Sequence, residues 1–377
     1  MKTQNHFMLM VLFLLESTLF LSCYAQDKKV SPTVQPDPTP APFNFRTAAR
    51  KATPCVVHVK GIFPVQKPPA FPDVFRDFFG DDFWDRHFQP PSDRKETIVG
   101  SASGVIISED GYVVTNNHVV QQALQLEIIL HNNKSYKAKV IGTDPATDLA
   151  LLKFEGKGIP FIEFGNSDSA EVGDLVLAVG NPFNLSSTVT AGIISAKARN
   201  INILNEYAAI ESYLQTDAAV NRGNSGGALV DINGKLIGIN SAIATPTGAY
   251  AGYSFAIPVE MVKKVIGDLK NYGKVNRGVL GIVISDNDDE RSTKLGTGIS
   301  TGVVVDSVAI NSAASKAGIV RGDLIIGIDG QEIENVSHLR ERLSRKRPGE
   351  KFNIMLVRNG KQKIVVVSLL PMEEKKN

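Results

Sequence analysis

Gly223-Asn224-Ser225-Gly226-Gly227-Ala228-Leu229 is the stretch on which the fold turns. Glycines crowded around a hydroxyl suit either a phosphate cradle or a tight turn in a β protein. The cradle needs a following Lys and a helix opening at the glycines, and neither is present. The surrounding chain favours β structure. Gly104-Val105-Ile106-Ile107, Val113-Val114-Thr115, Leu126 to Leu130, Leu149 to Lys153 and Leu236 to Ile239 are short apolar runs separated by Gly, Asn and Asp. Regular short strands with turn signals between them predict an all-β barrel or sandwich, a spacing that holds to about Pro258. Pro258 to Tyr272 then reads as one helix, with Met261, Val262, Val265, Ile266 and Leu269 on one stripe and Gly273 as its stop.

Working outward, the chain of 377 residues has room for two folded domains, and its 43% hydrophobic content suffices for packed cores. A formal charge of +2 gives no broad pull toward nucleic acid or anionic lipid. Two cysteines cannot build a disulfide framework or a Cys-rich metal site. Lys2, the apolar run Phe7 to Leu21 and the small residues before Gln26 have the layout of a secretory signal peptide, with cleavage expected after Ala25. A lipid-attachment box ending in Cys23, or an uncleaved tether, is the alternative. The expected compartment is therefore the periplasm or the exterior. Cys55, in a strand-like run, reads as a small buried core residue. Residues 26–44 are a Pro-rich linker. Phe71 to Phe88 crowds Phe71, Phe75, Phe78, Phe79, Phe83, Trp84 and Phe88 into one insertion, which reads either as a self-packing loop or as a partner-binding flap.

Three segments carry chemistry: Thr115 to Val120 with His118, Asp144 to Leu152 with two aspartates, and the loop around Ser225. A serine hydroxyl is a weak nucleophile and needs a base within reach. A neutral imidazole serves near pH 7, provided that a carboxylate holds it in one tautomer. The carboxylate is Asp148 or Asp144. Glycine allows the unusual turn that lets the backbone N–H groups of Gly223 and Ser225 converge on an oxyanion.

Taken together, residues 45–258 resemble the trypsin-like serine proteases of the HtrA/Deg family. The likeness rests on Gly100-Ser101-Ala102-Ser103-Gly104, Thr115 to Val119, Thr147 to Lys153, Gln215 to Ala219 and Gly223 to Leu229. The resemblance implies a mainly β fold, a chymotrypsin-like double β-barrel of two six-stranded barrels with the active site between them. It implies His118 as general base, Asp148 as its orienter and Ser225 as nucleophile, with Gly223, Asn224 and Ser225 around the oxyanion. It also implies cleavage after small aliphatic residues and assembly as a homotrimer or larger homo-oligomer. A substrate strand is expected along Ile239 to Ala242, contacting Asn240 and Ser241. The chemistry calls for no metal or cofactor.

After a connecting helix (259–276), residues 277–370 resemble a single PDZ domain of α+β type. Arg277 to Ile282 looks like its carboxylate-binding loop, with Leu280, Gly281 and Ile282 capturing a chain-end carboxylate. Asp329-Gly330 is a tight-turn signal, and Val336 to Leu343 is expected to wall the groove. The leading expectation is an ATP-independent serine endopeptidase that degrades unfolded or damaged proteins and binds exposed C-termini through its PDZ domain. A holdase chaperone, or a signalling protease switched on by a specific C-terminal peptide, is the alternative.

Overall fold

The computed structural model describes residues 44–64, 97–182, 187–204, 209–221, 223–243 and 252–372. The expected signal peptide, residues 26–43 of the linker and the aromatic insertion at 71–88 lie outside the described residues.

Six strands close the first barrel: β1 (Val56–Pro64), β2 (Thr97–Ile106), β3 (Tyr112–Asn116), β4 (Gln125–Ile129), β5 (Ser135–Asp144) and β6 (Leu149–Phe154), ordered β1-β2-β3-β6-β5-β4. Six more close the second: β7 (Leu175–Gly180), β8 (Thr188–Arg199), β9 (Tyr213–Thr216), β10 (Ala228–Asp231), β11 (Leu236–Ile243) and β12 (Ser254–Pro258), ordered β10-β11-β12-β9-β8-β7. Side chains alternate across a strand, and β6 shows why its sequence is apolar throughout. Ala150, Leu152 and Phe154 fill the first barrel, whereas Leu149 and Leu151 point out of it into a core shared with Leu177, Val179, Ala228 and Val230 of the second.

A short helix α1 (Arg46–Ala52) precedes β1, and a single turn α2 (Asn117–Val120) follows β3. The longest helix, α3 (Val259–Tyr272), ends on Gly273, which takes a left-handed φ of 70° and donates its N–H to the Leu269 carbonyl. Its stripe of Val259, Met261, Val262, Val265, Ile266 and Leu269 lies in the shared core. This helix therefore does more than connect, because it seals the seam between the barrels. Among the described residues, no helix is long and apolar enough to cross a membrane.

The rest of the chain has its own core, built on Val303, Val305, Ile325, Leu339, Phe352, Ile354 and Leu356. Its strands are β13 (Gly278–Val279), β14 (Ile282–Asp286), β15 (Val303–Val308), β16 (Leu324–Ile328), β17 (Gln331–Glu332), β18 (Lys351–Arg358), β19 (Lys361–Ser368) and β20 (Leu370–Pro371). The main sheet runs β14-β15-β16-β18-β19, which leaves β14 at an edge. Its helices are α4 (Asp289–Leu295), α5 (Ala313–Lys316) and α6 (Val336–Ser344). Asp329 and Gly330, at φ 47° and 77°, form the turn that pairs Ile328 with Gln331, the left-handed pair that a type I′ hairpin demands.

Helix α6 has a second partner that its sequence did not announce. Arg342 Nη1 lies 2.7 Å from Asp168 Oδ2, and Arg345 binds the same carboxylate through Nη1 and Nη2 at 2.8 and 2.9 Å. Asp168 lies in the segment before β7. Arg347 reaches Asp268 of α3 at 2.8 Å, and Arg277 meets Asp144 at the end of β5 at 2.7 Å. Burial pushes the Asp168 carboxyl upward, but the guanidiniums of Arg345 and Arg342 outweigh it and hold the group below its ordinary range.

Candidate active site

The pairing of β3 with β6 sets Asn116 opposite Leu149, and so brings the turn after one strand against the turn before the other. Asp148 closes a 3-10 turn, Pro145–Thr147, with a left-handed φ of 55°. Aspartate tolerates this conformation better than most residues. The Asp148 carbonyl accepts from Asn117 N at 3.0 Å and Asn116 Nδ2 at 3.1 Å, which fixes the turn. Its carboxylate then grips His118 twice: Oδ1 accepts from the backbone N–H at 3.0 Å, and Oδ2 faces Nδ1 at 2.8 Å. A carboxylate can only accept here, so Nδ1 carries the proton and Nε2 is the basic nitrogen.

The Ser225 loop is held from several sides. Gly226 N donates to Asn240 O at 2.8 Å, Asn240 N to Gly227 O at 2.9 Å, and Ser103 N to Ser225 O at 2.9 Å. Gly226 has φ 81°, and a Cβ on it would strike the Ser103 carbonyl and the Thr115 hydroxyl, so only glycine fits. The Ser225 hydroxyl donates to the Ser241 carbonyl at 3.2 Å. Ser241 Oγ in turn donates to Asp148 Oδ2 at 3.2 Å. The three residues singled out from the sequence, His118, Asp148 and Ser225, therefore meet where the barrels touch, joined through Ser241.

The rival aspartate is occupied elsewhere. Asp144 accepts from Thr147 Oγ1 and from the Arg277 guanidinium, which leaves Asp148 on His118. Asn240 and Ser241, expected along the substrate strand, have inward-facing side chains: Asn240 Nδ2 donates to Ala228 O at 3.0 Å. A register shift between Asn240 and Ala242 leaves Ser241 outside the β11–β12 ladder, with its carbonyl turned to Ser225. The bond from Ser241 to Asp148 escaped the sequence reading because no residue pattern marks that bulge.

Around the expected carboxylate loop, Leu280 is buried in the C-terminal core. Its carbonyl accepts from Ala314 N, and the Gly281 carbonyl from Ala309 N, both at 2.9 Å. Gly281 has φ 79°, and Ile282 opens the edge strand β14. Arg277 faces Asp144 and not the groove. Cys55 is a free, buried thiol whose Sγ lies 3.3 Å from Lys51 O, and burial pushes it up to about 11.

Comparison with known proteins agrees with this layout. Residues 102–239 match the trypsin-like peptidase domain, and residues 278–369 match the PDZ domain. A protein of Chlamydia trachomatis named probable periplasmic serine endoprotease DegP-like is 42% identical over 349 residues, covering 88% of this chain and 69% of that protein. The chain belongs to the HtrA/DegP family of periplasmic serine endoproteases. The periplasmic serine endoprotease DegP of Escherichia coli K12 is 39% identical over 361 residues, covering 91% of this chain and 74% of its own. Among solved structures, the HtrA-type protease AlgW with a tripeptide superposes with a TM-score of 0.64 at 35% identity, covering 88% of this chain and 98% of its own. This HtrA-family chain is accordingly a serine endopeptidase built as a double β-barrel with one PDZ domain.

Proposed function

We propose that His118, Asp148 and Ser225 act as a charge-coupled triad that cleaves unfolded or damaged polypeptides in the periplasm without ATP. The supporting observation is the double grip of Asp148 on His118, tied through Ser241 to the nucleophile's barrel. In the reaction, the Ser225 hydroxyl leaves the Ser241 carbonyl and turns to His118 Nε2. The imidazole takes its proton as the oxygen attacks the scissile carbonyl. The imidazolium that forms is stabilised by Asp148, which stays ionised. Backbone N–H groups of Gly223 and Ser225 receive the oxyanion, and His118 returns the proton to the leaving amine. Water then hydrolyses the acyl-enzyme by the same sequence. Asn224 shapes the loop between the two donors, and the backbone near Ser241 binds an extended substrate strand.

The PDZ domain takes exposed C-terminal residues into the groove between β14 and α6, with Leu280, Gly281 and Ile282 supplying backbone donors. Active chains assemble as homotrimers or larger homo-oligomers. A sedimentation mass equal to one chain would remove that part of the proposal.

A second reading, in which a particular C-terminal peptide switches the enzyme on for one substrate, draws support from α6. The helix that walls the groove also carries the arginines bound to Asp168. The test is hydrolysis of unfolded casein by the mature protein beside Ser225→Ala at several temperatures. Parent-only cleavage is expected, with turnover lower by about 10⁶-fold in the variant. Cleavage by neither protein, with or without a C-terminal peptide, would move the function to holdase binding.

A further inference from the structure

Ser103 lies in the stretch Gly100 to Gly104, whose glycines and serines the catalytic scheme leaves without a task. It is wholly buried in β2 opposite His58 of β1. Every polar group it owns is engaged outside its own barrel ladder or against the nucleophile loop. Its N–H donates to the Ser225 carbonyl at 2.9 Å. Its hydroxyl donates to the Gly223 carbonyl at 2.6 Å and accepts from the Asn181 N–H at 2.8 Å. Its carbonyl accepts from the Thr115 hydroxyl at 2.7 Å. One residue thus holds, by their carbonyls, both residues whose N–H groups are assigned to the oxyanion.

Behind it, His58 Nδ1 lies 3.1 Å from the Asn181 carbonyl, which can only accept, so this nitrogen carries a proton and donates. Burial pushes the imidazole below its ordinary range. The Asn181 peptide is pinned on both sides, by His58 at its carbonyl and by Ser103 at its N–H. Gly223, at φ 91°, sits against Pro182 so closely that a Cβ would meet that ring.

We infer that Ser103 is a positioning residue for the oxyanion site, its hydroxyl clamping the Gly223 carbonyl to the Asn181 N–H so that the loop's backbone donors keep their aim. This rests on the triad reading above. Without the hydroxyl, two buried polar groups lose a partner and the loop turns to find others. Ser103 is wholly buried, out of reach of a substrate strand, so the defect is expected in the transition state.

The experiment compares Ser103→Ala, Ser103→Thr and Ser103→Val with the parent on a peptide substrate, alongside inhibition by a peptide aldehyde, whose tetrahedral adduct places an oxygen in the same site. For the alanine variant, kcat is expected to fall by at least about tenfold, below the 10²–10³ cost of deleting a donor outright, with KM within about threefold. Aldehyde affinity should fall in step with kcat/KM. Threonine keeps the hydroxyl and should retain far more activity than valine, which has the same shape. This pair decides the matter even where alanine does not fold. Equal kcat for threonine and valine, or a kcat loss without loss of aldehyde affinity, overturns the inference. An active parent with indifferent Ser103 variants sinks this inference alone, whereas a parent no faster than Ser225→Ala sinks the triad reading beneath it.

Discussion

The seam between the two barrels and the seam between the double barrel, with its helix α3, and the PDZ domain are closed by different chemistry. At the first, Leu149 and Leu151 meet Leu177 and Val179, and neutral hydrogen bonds from Ser103 reach Ser225 and Gly223. At the second, Arg342, Arg345, Arg347 and Arg277 reach Asp168, Asp268 and Asp144. Apolar contact and neutral hydrogen bonds respond little to salt, whereas ion pairs are screened by it. The contrast teaches where adjustment would reside: under the proposed function, catalysis falls on the seam that salt leaves alone and peptide recognition on the one that salt tunes.

The largest expected effect tests the rigid seam. Asp148→Asn should lower kcat by about 10⁴-fold, because the amide stabilises neither the right tautomer nor the imidazolium. Steady-state hydrolysis of a peptide substrate measures it, and a variant with more than a tenth of parental kcat would break the comparison. The next effect concerns the adjustable seam. Asp168→Ala strands two guanidiniums and should cost PDZ docking about 2–3 kcal/mol, read by calorimetry as a separate, earlier melting step. In high salt the parent should approach the variant, while the barrel transition holds.

His338 gives a smaller, pH-dependent effect. Burial, then the charges of Arg342, Lys197 and Arg345, push it from 6.5 down to about 4, against the pull of Asp168. The folded state binds its proton less readily than the unfolded chain. Its contribution to stability is therefore whole above about pH 6.5 and is lost progressively as the pH falls toward 4. For a half-buried ring the slope is less than about 1 kcal/mol per pH unit, and His338→Gln should flatten it. Melting the PDZ step at pH 7 and pH 5 in both proteins checks this. Smallest of all, Lys294→Ala on α4 removes a solvent-exposed pair with Glu290 and should shift PDZ stability by at most about 0.5 kcal/mol. A larger shift in chemical denaturation would mean that surface pairs here behave like the seam.

The barrels were readable because their strands alternate or run apolar for reasons that act within a few residues. The segments that bring His118, Asp148 and Ser225 together were readable because their glycines and turns are local signals. Choosing Asp148 over Asp144 needed the family pattern, since the partner that engages Asp144, Arg277, lies 133 positions away. The second face of α6 was hidden for the same reason. Buried Glu341 and the arginines beside it look like an ordinary solvated face until Asp168 is placed against them. Ser241 shows a subtler limit: no residue pattern marks the bulge that turns its carbonyl to Ser225. The signal peptide, most of the linker and the aromatic insertion remain sequence expectations.

The order of strands in the second barrel carries a consequence for timing. β12, last of its strands in the chain, lies between β11 and β9, so the barrel cannot close until it arrives. A chain emerging amino end first assembles His118 and Asp148 early. The loop bearing Ser225 gains its final support only when Ser254 to Pro258 are in place. The barrel that carries His118 and Asp148 is complete once Phe154 is in place, whereas the barrel that carries Ser225 waits about a hundred residues longer for its last strand.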